Sequence, residues 1–344
     1  MNIYITLDYE LFLGPKTGSA ENCLVRPMNA LMDVLARTGS KCTVMVDGAY
    51  LYRMRQLSCS SDEVKKEFGV VLGNIADIDN RGHNIQYHFH PQWLYSNYID
   101  GLGWQMDFVH YKLSDVPMDE LSDAFKGGID ILEDLIKKKI TAFRAGGYSL
   151  CSYEWYGDLF HNNGIKIDSS VRGGESVSTR FQVYDYRKAP RKSIYYFLDD
   201  VTSEVNEEKN SFVEMPISFS RKISSLVYLL KKHRMEKHYH PSIIYGDGKG
   251  VGAMLSKKQK FQKDINKLWG SVRMPASIDK FESLSLWDIY KDIRKQDAQN
   301  MVIIGHPKLA SDASLDNVGR FVSDMIQAGN KICTFSQIKN HGNK

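Results

Sequence analysis

Short apolar bursts alternate with longer amphipathic stretches along the chain. "IYITLD", ending at Asp8, is apolar and β-branched and reads as a buried strand. Pro27 then opens a helix whose Met28, Leu31, Met32 and Leu35 recur at helical spacing, with Gly39 placed to stop it. "KCTVMV" from Lys41 and "NIQYH", ending at His88, give two more strands. Leu121, Phe125, Ile129, Leu132 and Ile136 share one face of a helix from about Asp119 to Lys139. "TAFR" from Thr141, "IKID" to Asp168, "FVEM" from Phe212 and "MVIIG" from Met301 continue the strand series. A helix from about Leu315 to Ala328 and the strand "ICTF" from Ile332 close it.

Strands that alternate with helices imply an α/β fold with a parallel sheet and helical crossovers. Seven or eight strands suit one (β/α) barrel over residues 1–344 better than two separate domains. The chain shows no Pro/Ser-rich linker, no repeat and no low-complexity tract. The rhythm breaks between about Arg221 and Asp297, which reads as an insertion before the last strands. That span holds 17 Lys/Arg against 8 Asp/Glu, an excess of +9 in a chain whose net charge is +4. The remainder is therefore mildly acidic, near −5.

The five cysteines are widely spaced and form no CxxC, which argues against a disulfide framework or a zinc knuckle. The opening "MNIYITLDYE" has no basic region or apolar core of a signal peptide, so a cytoplasmic location is expected. No run of eighteen apolar residues occurs, so no membrane span is expected. No recognition motif accompanies the basic excess, which argues against a nucleic-acid partner.

Four strands end on reactive side chains, at Asp8, His88, Arg144 and His306, and a fifth ends at Asp168. In parallel barrels the C-terminal strand ends share one face, where active sites are built. In "HNIQYHFHPQW", His88 and His90 stand two apart and so face one way along extended chain, as do Asp8 and Glu10. Two imidazoles beside carboxylates suit a divalent ion at about 2.0–2.1 Å. The plainer account is a hydrogen-bonded pair at a strand end. "HYH" at His238–His240 has the same spacing without strand or acid, and is set aside. Plain accounts exist elsewhere too: a structural ion pair for Arg144, a turn or cap for Asp168, a satisfied imidazole for His306.

"TLDYE", "HNIQYHFHP", "FRAGGYS", "IDSSV", "EMPIS", "IIGHP" and "KICTFSQI" occur in the order found in polysaccharide deacetylases. The chain resembles these metal-dependent N-deacetylases of carbohydrate esterase family four from about Ile3 to Ile338, the insertion excepted. The resemblance implies a distorted barrel, one divalent metal with zinc as the expected ion, and removal of acetyl groups from N-acetylated sugars. It makes Asp8 the general base, Arg144 the group that holds it, His306 the general acid and Asp168 the residue that orients His306. The family's second aspartate is replaced by Tyr9, so Glu10 is the expected carboxylate ligand. The family's second histidine falls at Gln92, so His90 is expected to join His88 on the metal. Tyr148 resembles the family's aromatic residue, displaced by one. Trp93 is placed to stack on a sugar or to pack in the barrel.

The expected substrate is an N-acetylated saccharide, with a nucleotide- or lipid-linked intermediate favoured by the cytoplasmic expectation and the basic span. Within that span, "ISSLVYLLKKHR" from Ile223 offers peripheral membrane contact, or a packed helix with a solvated tail. Two other classes stay open: a glycoside hydrolase or different amide hydrolase on a related barrel, and a non-catalytic sugar-binding relative.

Overall fold

The computed structural model describes residues 1–150, 153–254, 270–296 and 298–338. Its main sheet carries the predicted strands β1 (Asn2–Tyr9), β2 (Thr43–Asp47), β3 (Asn84–Phe89), β4 (Ala142–Ala145) and β5 (Ile167–Asp168). It adds β6 (Tyr195–Phe197), which the apolar pattern did not reveal, then β7 (Phe212–Glu214), β8 (Asn300–Gly305) and β9 (Lys331–Cys333). The order is β6-β7-β5-β4-β3-β2-β1-β8, with β9 beside the first residues of β1. Every pairing is parallel except β6 with β7.

The sheet curls and closes through chain that is not regular strand. Beyond β7, Ser218 donates its N–H to Val302 O at 3.0 Å and accepts from Ala276 N at 2.7 Å. Ile304 then donates to Ala276 O, and Ile278 to Ile304 O, both at 2.9 Å. Residues 274–278, inside the span read as an insertion, therefore bridge β7 to β8. Pro275 helps explain the irregularity, because proline has no N–H for a ladder.

Helices cover the outside. α1 (Arg26–Ala36) and α4 (Met118–Ile136) bury the apolar stripes that predicted them. α2 (Gly48–Leu57) and α3 (Asp62–Asn80) fill the stretch between β2 and β3. Ser61 caps α3 by accepting from Val64 N at 3.2 Å, and Val64, Val71, Ile75 and Ile78 form its buried face. α5 (Tyr153–Asn162) follows β4. In the basic span, α6 (Ser225–His238) leaves Leu226 and Leu230 exposed, so it is not the packed helix of the plainer account. α7 (Leu286–Arg294) precedes β8, and α8 (Asp312–Gln327) leads to β9. Among the described residues no helix is long and apolar enough to cross a membrane.

Candidate active site

The site forms where β1, β3, β4 and β8 end. Alternation along β1 sends Tyr9 into the helix layer, where its hydroxyl donates to Asn74 Oδ1 at 2.9 Å. Asp8 and Glu10 therefore share the other side, as the spacing predicts. With His88, His90, Gln92, His306 and Lys308 they line a pocket of about 590 Å³.

Asp8 and Arg144 form a buried ion pair, Nη1 to Oδ1 at 2.6 Å. The guanidinium also donates to Ser169 O, Thr6 Oγ1 and Ser169 Oγ, which fixes its plane. Burial acts to raise the Asp8 carboxyl, but Arg144, then His88 and His306, outweigh it and hold it below the usual carboxylate range.

Glu10 presents Oε2 to His88 Nε2 and His90 Nδ1, each at 3.1 Å. Its other oxygen is taken by Lys308 Nζ at 2.7 Å, and that ammonium also donates to Leu11 O at 2.8 Å. Burial opposes ionisation of Glu10, yet Lys308 and the two imidazoles hold its carboxyl well below the usual range. His88 Nδ1 lies 2.7 Å from Arg144 O, which orients the ring with Nε2 toward Glu10. Asp47 also holds His90: its Oδ1 accepts the backbone N–H, and its Oδ2 lies 3.0 Å from the same Nδ1 that faces Glu10.

Glu10, His88 and His90 are the one group among the described residues whose ligand atoms lie close enough for a shared ion, within 4.8 Å of one another. Tetrahedral bonds of about 2.0–2.1 Å place ligand atoms roughly 3.3 Å apart, near the 3.1 Å from Glu10 Oε2 to each imidazole nitrogen. Gln92 adds a buried Oε1 with no hydrogen-bond partner on the same pocket wall. A buried carbonyl oxygen left unpaired costs free energy unless a donor or a cation meets it. The donor set and this orphaned oxygen both fit a divalent cation.

His306 follows β8 and donates its backbone N–H to Asp279 Oδ1 at 2.8 Å, with Nδ1 2.7 Å from Oδ2. Its Nε2 lies 3.7 Å from Asp8 Oδ2, across the pocket. Burial acts to lower the imidazole, but Asp279, aided by Asp8 and Glu10, raises it above the ordinary histidine value.

Two expectations need correction. Asp168 does not orient His306. It accepts from Ser170 Oγ at 2.6 Å and lies beside the buried carboxyl of Glu214, its register partner across β5 and β7. Asp279 fills the orienting role, from the irregular bridge where no periodic pattern marks it. Trp93 does not face the pocket. Its ring is fully buried against Tyr50 and Trp104, and its Nε1 donates to Asp47 Oδ2 at 2.9 Å. The short helical turn Gln92–Tyr95 rotates the side chain inward.

Tyr148 does line the pocket, with a left-handed backbone at φ 57°. Such conformations are costly for bulky residues and cluster at functional sites. Gly146 is needed just before it, because a Cβ there would lie 2.5 Å from His90 Cδ2. The hairpin Ser176–Thr179 with Gln182–Asp185 forms one pocket wall. Gly250, Val251 and Gly252 from the basic span form another. That segment is tied down at Asp247, which accepts from Ser19 N at 2.9 Å and Asn22 Nδ2 at 3.1 Å. Asp47, Asp279 and Lys308 were missed. Asp47 ends β2 as Asp8 nearly ends β1, and the same strand-end rule finds it.

No protein-family model matches the chain, and no curated protein matches it. Solved structures do. A protein from Mycobacterium smegmatis assigned as a polysaccharide deacetylase is 14% identical, with a TM-score of 0.51 over 98% of this chain and 87% of that one. A family 57 glycoside hydrolase, a branching enzyme from Thermococcus kodakaraensis, is 10% identical, with a TM-score of 0.50 over 100% of this chain and 71% of that one. A peptidoglycan deacetylase from Bacillus subtilis is 10% identical, with a TM-score of 0.38 over 97% of this chain and 88% of that one. At such identities the likeness shows the fold alone, a distorted (β/α) barrel like those of the polysaccharide deacetylase and the branching enzyme.

Proposed function

We propose that the protein is a metal-dependent carbohydrate N-deacetylase that hydrolyses an acetamide on a saccharide. The observation that carries this reading is the meeting of three units in one pocket. These are Asp8 held by Arg144, the donor set Glu10–His88–His90, and His306 held by Asp279.

A bound divalent cation, with zinc the ion that suits two imidazoles and a carboxylate, supplies Lewis acidity toward an amide carbonyl and a water. Glu10, His88 and His90 would hold it, with Gln92 Oε1 beside them. Asp8, ionised and fixed through Oδ1, turns Oδ2 to the pocket and accepts the proton of the attacking water. His306, protonated and oriented by Asp279, gives a proton to the departing sugar amine as the C–N bond breaks. Acetate and the free amine leave. Tyr148 offers an aromatic wall for the saccharide.

A glycosidase reading shares the barrel but not the proton inventory. Glycoside hydrolysis needs a protonated carboxylic acid beside the scissile bond. Both pocket carboxyls, Asp8 and Glu10, are held below the usual range. Glu282 is pushed up to about 6 by burial and Asp279, but it does not line the pocket.

The substrate class we favour is a sugar on a nucleotide or lipid diphosphate carrier, on the strength of the basic span. Lys257, Lys258, Lys260 and Lys263, which would meet such an anion, lie outside the described residues. Peripheral membrane contact is proposed at the exposed face of α6.

The deciding experiment assays acetate release from N-acetylated saccharides, free and diphosphate-linked, before and after chelation and zinc restoration. Metal-dependent acetate release is expected. A new reducing end without acetate would sink the reading in favour of a glycosidase. Sugar binding with no metal and no turnover would make the chain a binding protein.

A further inference from the structure

The irregular closure of the barrel leaves a second cavity, of about 550 Å³, that shares no lining residue with the catalytic pocket. It reaches Asn300, where β8 begins, whereas His306 follows the other end of that strand. At about 3.3 Å per residue the two ends lie roughly 20 Å apart. A small ligand cannot occupy both.

The cavity wall carries Arg187, Arg191, Lys192, Lys222 and Arg273 and, among the described residues, no carboxylate. Two of these cations are neutralised from outside the wall, Arg187 by Asp185 and Lys192 by Glu204. Three are not. Arg191 and Lys222 make no hydrogen bond or ion pair among the described residues. Arg273 donates Nη1 to Gly173 O at 2.9 Å, and its Nε is shut off from water with no partner. Burial and the like charge of Arg191 both act against the Arg273 cation, with Glu175 opposing more weakly. Arg191 and Lys222 are exposed to water, so the cost falls on Arg273, whose orphaned Nε–H an anion would satisfy.

We propose that this cavity binds a small anion of the diphosphate class, at a site separate from the catalytic pocket. A phosphoryl group carries about −1.5 to −2 charge near neutral pH. Three cations without an ion-pair partner among the described residues therefore match two linked phosphoryl groups better than one carboxylate. The planar guanidiniums of Arg191 and Arg273 offer forked donors to phosphoryl oxygens, and Lys222 adds a point charge. The proposal does not depend on the deacetylase reading.

The test is calorimetry and thermal unfolding of the full chain with inorganic pyrophosphate, with inorganic phosphate and a nucleoside diphosphate as separate arms. Pyrophosphate is expected to bind one site at least tenfold more tightly than phosphate, to raise Tm, and to weaken as salt is added. The nucleoside diphosphate arm shows whether a free or a substituted diphosphate is preferred, and either preference supports the site. Arg191→Glu with Lys222→Glu, both exposed positions, should abolish binding and leave turnover of a free acetylated sugar within twofold. If the double variant unfolds, Arg191→Gln and Lys222→Gln singly should each weaken binding at least threefold. No pyrophosphate binding, or binding that survives these substitutions, would overturn the proposal.

Discussion

Arg144, with His88 and His306, holds the Asp8 carboxyl below the usual range, and in the proposed function Glu10, not Asp8, is the carboxylate ligand. Asp8→Asn should therefore retain bound metal while losing a rate factor of roughly 10²–10⁴, the scale of general acid–base catalysis. Loss of metal in that variant, read by elemental analysis, would instead make Asp8 a ligand. Asp279 raises the His306 imidazole, so the acid stays protonated above the ordinary histidine range. Asp279→Asn removes that support, and the alkaline limb of the kcat profile should move to lower pH. An unmoved limb would remove His306 from the proton-donating role. Asp47 holds His90 at Nδ1 and at its backbone N–H, and also takes the Trp93 N–H. Groups behind a metal ligand commonly set affinity by 10–100-fold. Asp47→Asn should weaken zinc binding by about that factor, measured by competition with a chromophoric chelator.

Between β5 and β7, Asp168 and Glu214 place two carboxyls side by side with both residues fully buried. Burial first, and then Asp168, raises Glu214 well above its ordinary value. The fold favours the neutral form, and the unfolded glutamate ionises near about pH 4.3. Stability should thus fall as pH rises from about 4.3 toward the raised native value. Glu214→Gln should flatten Tm against pH across that window, and an unchanged slope would mean that the pair is not protonated. These elements also show what the sequence makes legible. Strand ends at Asp8, His88, Arg144 and His306 converge because parallel strands expose one common edge, and alternation alone separates Tyr9 from Glu10. Asp279 stayed hidden because residues 274–278 pair without periodicity. Asp168 was misassigned because the resemblance matched "IDSSV" to the orienting aspartate, whereas the group that meets His306 is Asp279, in the irregular bridge. Trp93 was ambiguous because one helical turn after β3 decides which way the ring points.

On the scale of the molecule, the basic span is not an appendage. It supplies Asp279, the strap at Gly250–Gly252 and, with the loop before β6, the cations of the second cavity. Deleting it whole should remove activity, whereas loss confined to residues 255–269 should spare acetate release from a free sugar. The pairing of β1 carries a consequence for how the chain is made. β1 meets β2 early, but its other edge is completed by β8, whose first residue, Asn300, pairs with Asn2. At about 5–20 residues per second of synthesis, that edge waits roughly 15–60 s with unpaired amides and buried-type side chains in view. Chains halted before Asn300 should therefore sediment as aggregates or be recovered bound to chaperones. Since Asp8 and Glu10 ride on β1 while His306 follows β8, the nascent protein holds no working site during that interval, and reactivity begins only as the last strands arrive.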